Sequence, residues 1–294
     1  MLTIKSKNKV KKTITHFRPR IRSRHPSHDI LREELPLMKF RSVIRLGSTT
    51  ELDNVPVQLN SVEAIRVSSN KLLMKQAFTR DGVKTANWWR YAQASHTSHQ
   101  FFKNSSDAMD DIVELPYPIV AKHIYGSRGT GNTLLNTQQE LEQWMQGKTL
   151  SNYIFEAYMA YNKEYRLHVT EEGCFYTCRK MLKEDAKERW FRNDSNSVWI
   201  LESNEAFDKP VNWDLIVADC VKALKAVGLD FGAMDVRVQS RLDKDEKVRK
   251  NPEWIVLESN SAPSMGVITT ERYLAELPKL LMKKHKEVEL SKLK

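Results

Sequence analysis

The sequence predicts an α+β fold, and three observations carry that prediction. Short apolar runs with strand-like alternation recur along the chain, and amphipathic stretches with helix-capping residues lie among them. The two kinds do not follow the strict strand–helix–strand order that a single doubly wound sheet requires. With 294 residues, 40% of them hydrophobic, the chain can bury a sizeable core in one large or two smaller domains. No apolar run approaches membrane-spanning length, and no secretory pattern opens the chain. The three cysteines, Cys174, Cys178 and Cys220, are odd in number and lack a further Cys/His pair to make a zinc site. A reduced, cytoplasmic setting without a membrane partner is the expectation.

Residues 5–25 (KSKNKVKKTITHFRPRIRSRH) hold five lysines, four arginines and no acid, within a net charge of +10. Such a block is either a solvated tail or an attractor of polyanions: nucleic acid, a phosphorylated substrate or an acidic protein segment. No groove-reading motif accompanies it, so sequence-specific nucleic-acid recognition is not indicated. Residues 41–46 (RSVIRL) read as a short strand closed by Gly47 and Ser48. Residues 61–77 have helical spacing broken near Ser69, which makes two helices, the second opening at an Asn70 cap and ending at Asp81-Gly82. Residues 85–91 look extended, and residues 95–107, rich in Ser, His and Asn, read as a loop.

Residues 118–124 (PIVAKHI) form a strand carrying Lys122. A glycine-rich turn, GSRGTGN at 126–132, follows, and a strand resumes at 133–135. A helix is predicted over 138–145, then strands over 154–159, 164–169 and 174–181. An amphipathic helix over 213–227 stops at Gly228. Strands at 232–238 and 254–257 flank a charged loop at 241–251, and residues 271–286 close the chain as a helix with a basic outer face.

Chemistry concentrates at three places. Lys122, set among apolar neighbours, must meet an anion or lose its charge. The glycines just beyond it free backbone N–H groups to cradle phosphate oxygens, although the spacing is neither a P-loop nor a dinucleotide fingerprint and also suits a plain hairpin. In WIVLESNSAPSMG, strand geometry puts Glu258 and Asn260 on one face, where they either cap a turn or share a hard cation. Asp235, in GAMDVRV, either pairs with Arg237 or joins Glu258 and Asn260 around that cation. The functional alternative throughout is one Mg-ATP site, its ion bridging phosphate oxygens.

From about residue 70 to 266, the ordered series Asn70-Lys71, PIVAK, GSRGTGN, YIFEAYM, EYRLHV, FRND, GAMDVRV and LESNSAP resembles the ATP-grasp fold. Within it, the series looks closest to the carboxylate–amine ligases that include ribosomal-protein glutamate ligases, D-alanine–D-alanine ligase and glutathione synthetase. The resemblance implies two α+β subdomains clamping ATP, with an abbreviated N-terminal segment. The expected division is a basic arm and short leading segment at 1–69, a lid subdomain at 70–155 and a metal-bearing subdomain at 156–294.

By the same resemblance, Lys71 and Lys122 contact the nucleotide phosphates, and Gly126, Ser127, Gly129 and Gly131 form a lid. Glu156, Ala157, Tyr158 and Met159 form the adenine hinge, and Glu164 holds the ribose. Arg179, Arg192 and Asn193 attend the transferred phosphate. Asp235, Glu258 and Asn260 bind Mg²⁺, with Mn²⁺ as a substitute. The implied chemistry is phosphorylation of a small-molecule or peptide carboxylate by ATP, then displacement of phosphate from the acyl phosphate by an amine. A kinase acting on a polyanionic small molecule, or a nucleic-acid-associated enzyme, would use the same parts.

Two departures bear on the acceptor. The segment before Asn70 is short, so either it is abbreviated or a partner chain, such as a second copy in a homodimer, completes the acceptor site. Ser264 stands where many relatives place glycine. Trp88, Trp89, Trp190 and Trp199 either line an acceptor groove or belong to core and interface.

Overall fold

The computed structural model describes residues 15–95, 98–103, 114–126, 129, 131–193, 195–239 and 247–293. Three sheets organise them. The first is parallel, built from β1 (Arg20–Arg22), β2 (Ser42–Arg45) and β3 (Val57–Leu59). It is joined by α1 (Asp29–Glu34) and by the last helix of the chain. Only β2 was legible beforehand. β1 lies inside the basic arm, and three-residue strands are too short to show alternation.

Two helices follow. α2 (Val62–Ser69) is capped by Ser61, and α3 (Lys71–Arg80) by Asn70, whose Oδ1 accepts the N–H groups of Leu72 and Leu73 at 3.0 and 3.1 Å. The break expected near Ser69 is thus the junction of two helices. The cap orients the start of α3, and with it Lys71.

The antiparallel sheet that follows has the order β5-β4-β8-β6-β7. Its strands are β4 (Trp88–Ser95), β5 (Ser98–Lys103), β6 (Ile119–His123), β7 (Asn132–Leu135) and β8 (Tyr153–Ala157). α4 (Gln138–Met145) covers it through Leu141, against Phe155, Ile119 and Ala121. Part of the stretch read as a loop at 95–107 is therefore strand β5: pairing with β4 satisfies its backbone despite its polar composition. Trp88 and Trp89 are buried here, so they do not line a groove.

The third sheet, also antiparallel, has the order β11-β10-β9-β12-β13. Its strands are β9 (Lys163–Thr170), β10 (Gly173–Leu182), β11 (Ser197–Leu201), β12 (Phe231–Val238) and β13 (Trp254–Asn260). One face packs on α2, α3 and α5 (Trp213–Ala226) through Tyr165, Leu167, Met234, Val236, Leu224 and Phe78. Gly228, at φ +74°, ends the helical run as expected. α6 (Val267–Ser291) packs against the first sheet, and its Tyr273 meets Phe231. Among the described residues, no helix is long and apolar enough to cross a membrane.

Candidate active site between two sheets

The face of the third sheet opposite α5 is charged, and strand register decides which charges meet. Asp235 on β12 lies opposite Arg166 on β9, and Arg237 lies opposite Glu164. Arg166 holds Asp235 through two bonds, Nε–Oδ1 at 2.7 Å and Nη2–Oδ2 at 2.8 Å. Lys180 on β10 reaches both Glu164 at 3.0 Å and Asp235 at 3.4 Å, and Arg237 reaches Glu164 at 3.3 Å. The internal Asp235–Arg237 pair does not form. Burial would raise the Asp235 carboxyl, but Arg166 and Lys180 outweigh it and hold the group well below the carboxylate range. Trp199 lies beside both cations, 4.9 Å from the Arg166 guanidinium carbon and 5.2 Å from Lys180 Nζ.

A facing set comes from α3 and the second sheet. Lys122 donates to Glu156 Oε2 at 2.8 Å, and Lys75, one helical turn beyond Lys71, approaches the same oxygen at 3.3 Å. Lys75 also donates to Thr85 Oγ1 at 2.5 Å. Burial brings Lys75 down to about 8 and lowers Lys122, against the pull of Glu156. Lys71 donates to the Gly126 carbonyl and lies 4.0 Å from Glu258 Oε2.

Between these walls lies a pocket of about 430 Å³. The turn between β6 and β7 closes one side. Gly129, at φ +80°, sits where a Cβ would come within 3.3 Å of the Phe191 ring, so this turn touches the loop carrying Phe191, Arg192 and Asn193. Arg192 donates to the Asn162 carbonyl at 2.8 Å and lies over the Tyr161 ring, yet its Nε and Nη1 have no partner. At the far end the pocket takes His25 and Gly47, from beyond β1 and β2, together with the turn 261–264. That turn is fastened to the N-terminal segment twice: Met265 N–H donates to Ser27 Oγ at 3.1 Å, and His28 Nε2 bonds the Pro263 carbonyl at 2.9 Å.

Of the residues expected at the site, Lys71, Lys122, Gly126, Gly129, Glu164, Arg192, Asn193, Asp235, Glu258 and Asn260 line this pocket. Ser127 lies outside the described residues. Arg179 points to the opposite face, where it pairs with Asp208, because side chains alternate along β10 and Lys180 takes the pocket side. Glu156 is buried behind Lys122 instead of lining the pocket. Ala157, Tyr158, Met159 and Gly131 do not line it either; the N–H groups of Ala157 and Tyr158 bond the carbonyls of Asn87 and Pro118. The Asn193 Oδ1 caps its own turn, accepting from Ser195 and Asn196. Of the four tryptophans weighed for an acceptor groove, Trp190 alone lines the pocket.

Sequence reasoning missed Arg166 and Lys180, and weighed Arg237 only as a partner for Asp235. The signal was present, since the period of two that groups Glu258 with Asn260 also places Arg166 beside Glu164.

The charge balance decides what kind of ligand fits. Along the lining, six bases (Lys71, Lys122, Arg166, Lys180, Arg192, Arg237) meet three acids (Glu164, Asp235, Glu258), while Lys75 and Glu156 pair behind it, and Arg192 brings unpaired donors. A concave site with surplus cations suits phosphate oxygens. For a divalent cation the donors fit in part. Glu258 is 31% exposed with only the distant Lys71 contact, and it shares the pocket with Asn260. Asp235, by contrast, has both oxygens held by Arg166 and Lys180 and offers no free one. Among the described residues, no group of three His, Cys, Asp or Glu gathers as for a metal.

No protein-family model matches the sequence, and no curated protein does at a significant level. Solved structures do match. The D-alanine–D-alanine ligase from Bacillus anthracis complexed with ATP aligns at TM-score 0.54 and 12% identity, over 85% of this chain and 81% of that one. The D-alanine–D-alanine ligase from Coxiella burnetii aligns at 0.54 and 13%, over 91% and 79%. N5-carboxyaminoimidazole synthetase from Staphylococcus aureus, complexed with ADP, aligns at 0.50 and 17%, over 76% and 54%. The chain has the ATP-grasp fold.

Proposed function

We propose that this chain is an ATP-dependent carboxylate–amine ligase, with the nucleotide phosphates seated in the pocket between the second and third sheets. The observation that carries the reading is the surplus of buried Lys and Arg facing one pocket, within a fold shared with ligases solved with ATP and ADP. A substrate carboxylate takes the γ-phosphoryl group to give an acyl phosphate and ADP. An amine then attacks the acyl carbon, phosphate leaves and an amide remains. The protein supplies position and charge.

In this reading Lys71, Lys122 and Arg192 bind phosphate oxygens, and Arg166, Lys180 and Arg237 hold the charged floor beneath them. The turn containing Gly126 and Gly129 excludes water from above. Glu258 and Asn260 would hold Mg²⁺, which when bound neutralises phosphate charge. His25, Gly47 and the turn 261–264 border the end left for carboxylate and amine. The working division of the chain remains a leading segment, a lid subdomain and a metal-bearing subdomain.

The test is ³¹P NMR of the protein with Mg-ATP and a small-molecule extract. ADP and free phosphate, formed only with extract, support the ligase. A new phosphoester signal would make the chain a kinase instead.

A further inference from the structure

The first sheet has two ends, and both open into cavities. Beyond the C-terminal ends of β1 and β2, His25 and Gly47 reach the pocket described above. At the N-terminal ends of the same strands lies a second cavity, of about 450 Å³, lined by His16, Phe17, Arg18, Arg20, Arg41 and Ser42. Residues 20 and 25 are separated by about 16 Å of extended chain, so a single strand links the two places.

The second cavity is built for an anion. No acid lines it. Among the described residues, none of Arg18, Arg20 and Arg41 pairs with a carboxylate. Arg18 donates to the carbonyls of Glu33 and Leu35, which fixes the guanidinium without neutralising it. Arg41 lies over the Phe17 ring, 5.4 Å from its centroid, and the backbone of Phe17 is pinned to Met38 by bonds of 2.7 and 2.8 Å. Ser42 is 2% exposed, yet its hydroxyl has no hydrogen-bond partner. Buried hydroxyls are nearly always satisfied, so this one leaves an unused polar group in the cavity wall.

We propose that this cavity binds phosphates of a single-stranded nucleic acid, without base-sequence preference, at a site separate from the ATP pocket. Guanidinium groups match phosphate geometry, and an aromatic ring beside an arginine is the pairing on which bases stack. One phosphate would not need the rest of the basic segment. In the sequence, Lys5, Lys7, Lys9, Lys11 and Lys12 precede the cavity residues with no intervening acid, a charge density suited to a chain of phosphates. The proposal is independent of the ligase reading.

The test is fluorescence anisotropy of the full chain with a labelled oligothymidylate of about 20 nucleotides, over a range of salt. Binding should weaken steeply with salt. The Arg20→Gln/Arg41→Gln variant should lose at least tenfold in affinity and flatten the salt slope by about 1.4, at roughly 0.7 per lost phosphate contact. Its Mg-ATP affinity and melting temperature should match the parent. The proposal is overturned if the double variant binds like the parent or if the parent does not bind. It is equally overturned if polyglutamate binds as tightly as the oligonucleotide, marking a protein partner, or if inorganic phosphate does, marking a small-anion site.

Discussion

Asp235 and Arg166 sit directly opposite each other on adjacent antiparallel strands, joined by two bonds of 2.7 and 2.8 Å, with Asp235 only 1% exposed. The pair makes Asp235 part of the architecture of the site floor. Glu258, next to it across the β12–β13 register, is partly exposed and lightly held.

That contrast separates two substitutions. Asp235→Asn should cost about 3–5 kcal/mol, because it leaves Arg166 and Lys180 buried beside a neutral amide. Glu258→Gln should leave stability within about 0.5 kcal/mol and abolish turnover. Urea denaturation of both variants, beside an ATP-turnover assay of Glu258→Gln, checks this. Equal destabilisation by the two would refute it.

Lys71 and Lys122 should also separate. Lys71 has only a carbonyl and a distant carboxylate for company, so Lys71→Ala should weaken ATP at least tenfold with little change in melting. Lys122→Ala should lose ATP affinity and stability together, since it removes the nearer of the two cations on Glu156. Isothermal titration with ATP, run beside thermal melts, distinguishes the two patterns.

Acid should act through Glu156. Burial alone would raise its carboxyl, but Lys122 and Lys75 overcome this and pull it from 4.5 to about 2. A depressed acid contributes stability that is complete above about pH 4.5 and is lost as pH falls toward 2. The contribution is roughly 3 kcal/mol. Unfolding free energies between pH 2 and 5 should show this loss in the parent. In Glu156→Gln the slope should be shallower, starting from a lower stability. Parallel curves would mean that Glu156 is not the group responsible.

Gly129 should be intolerant of a side chain. Its φ of +80° disfavours a side chain, and an added Cβ would lie 3.3 Å from the Phe191 ring, so Gly129→Val strains the turn and pushes it off the opposing loop. ATP affinity should fall several-fold while global stability drops by only about 1–2 kcal/mol. An unchanged dissociation constant would show that this contact does not close the site.

The order of motifs from Asn70 to Pro263 and the helix cap at Asn70 were legible from the sequence alone. So was the shared face of Glu258 and Asn260. Each depends on neighbours in the chain: a cap spans three residues, and a strand face repeats every two. The tertiary structure decided the partners. Arg166 meets Asp235, and Glu164 meets both Lys180 and Arg237, because register between strands far apart in the chain sets which side chains lie opposite. Register also turned Arg179 away from the pocket and Lys180 toward it. The three-residue strands β1 and β3 were equally hidden, since their stability comes from pairing with β2 and packing under α6, and local sequence holds neither.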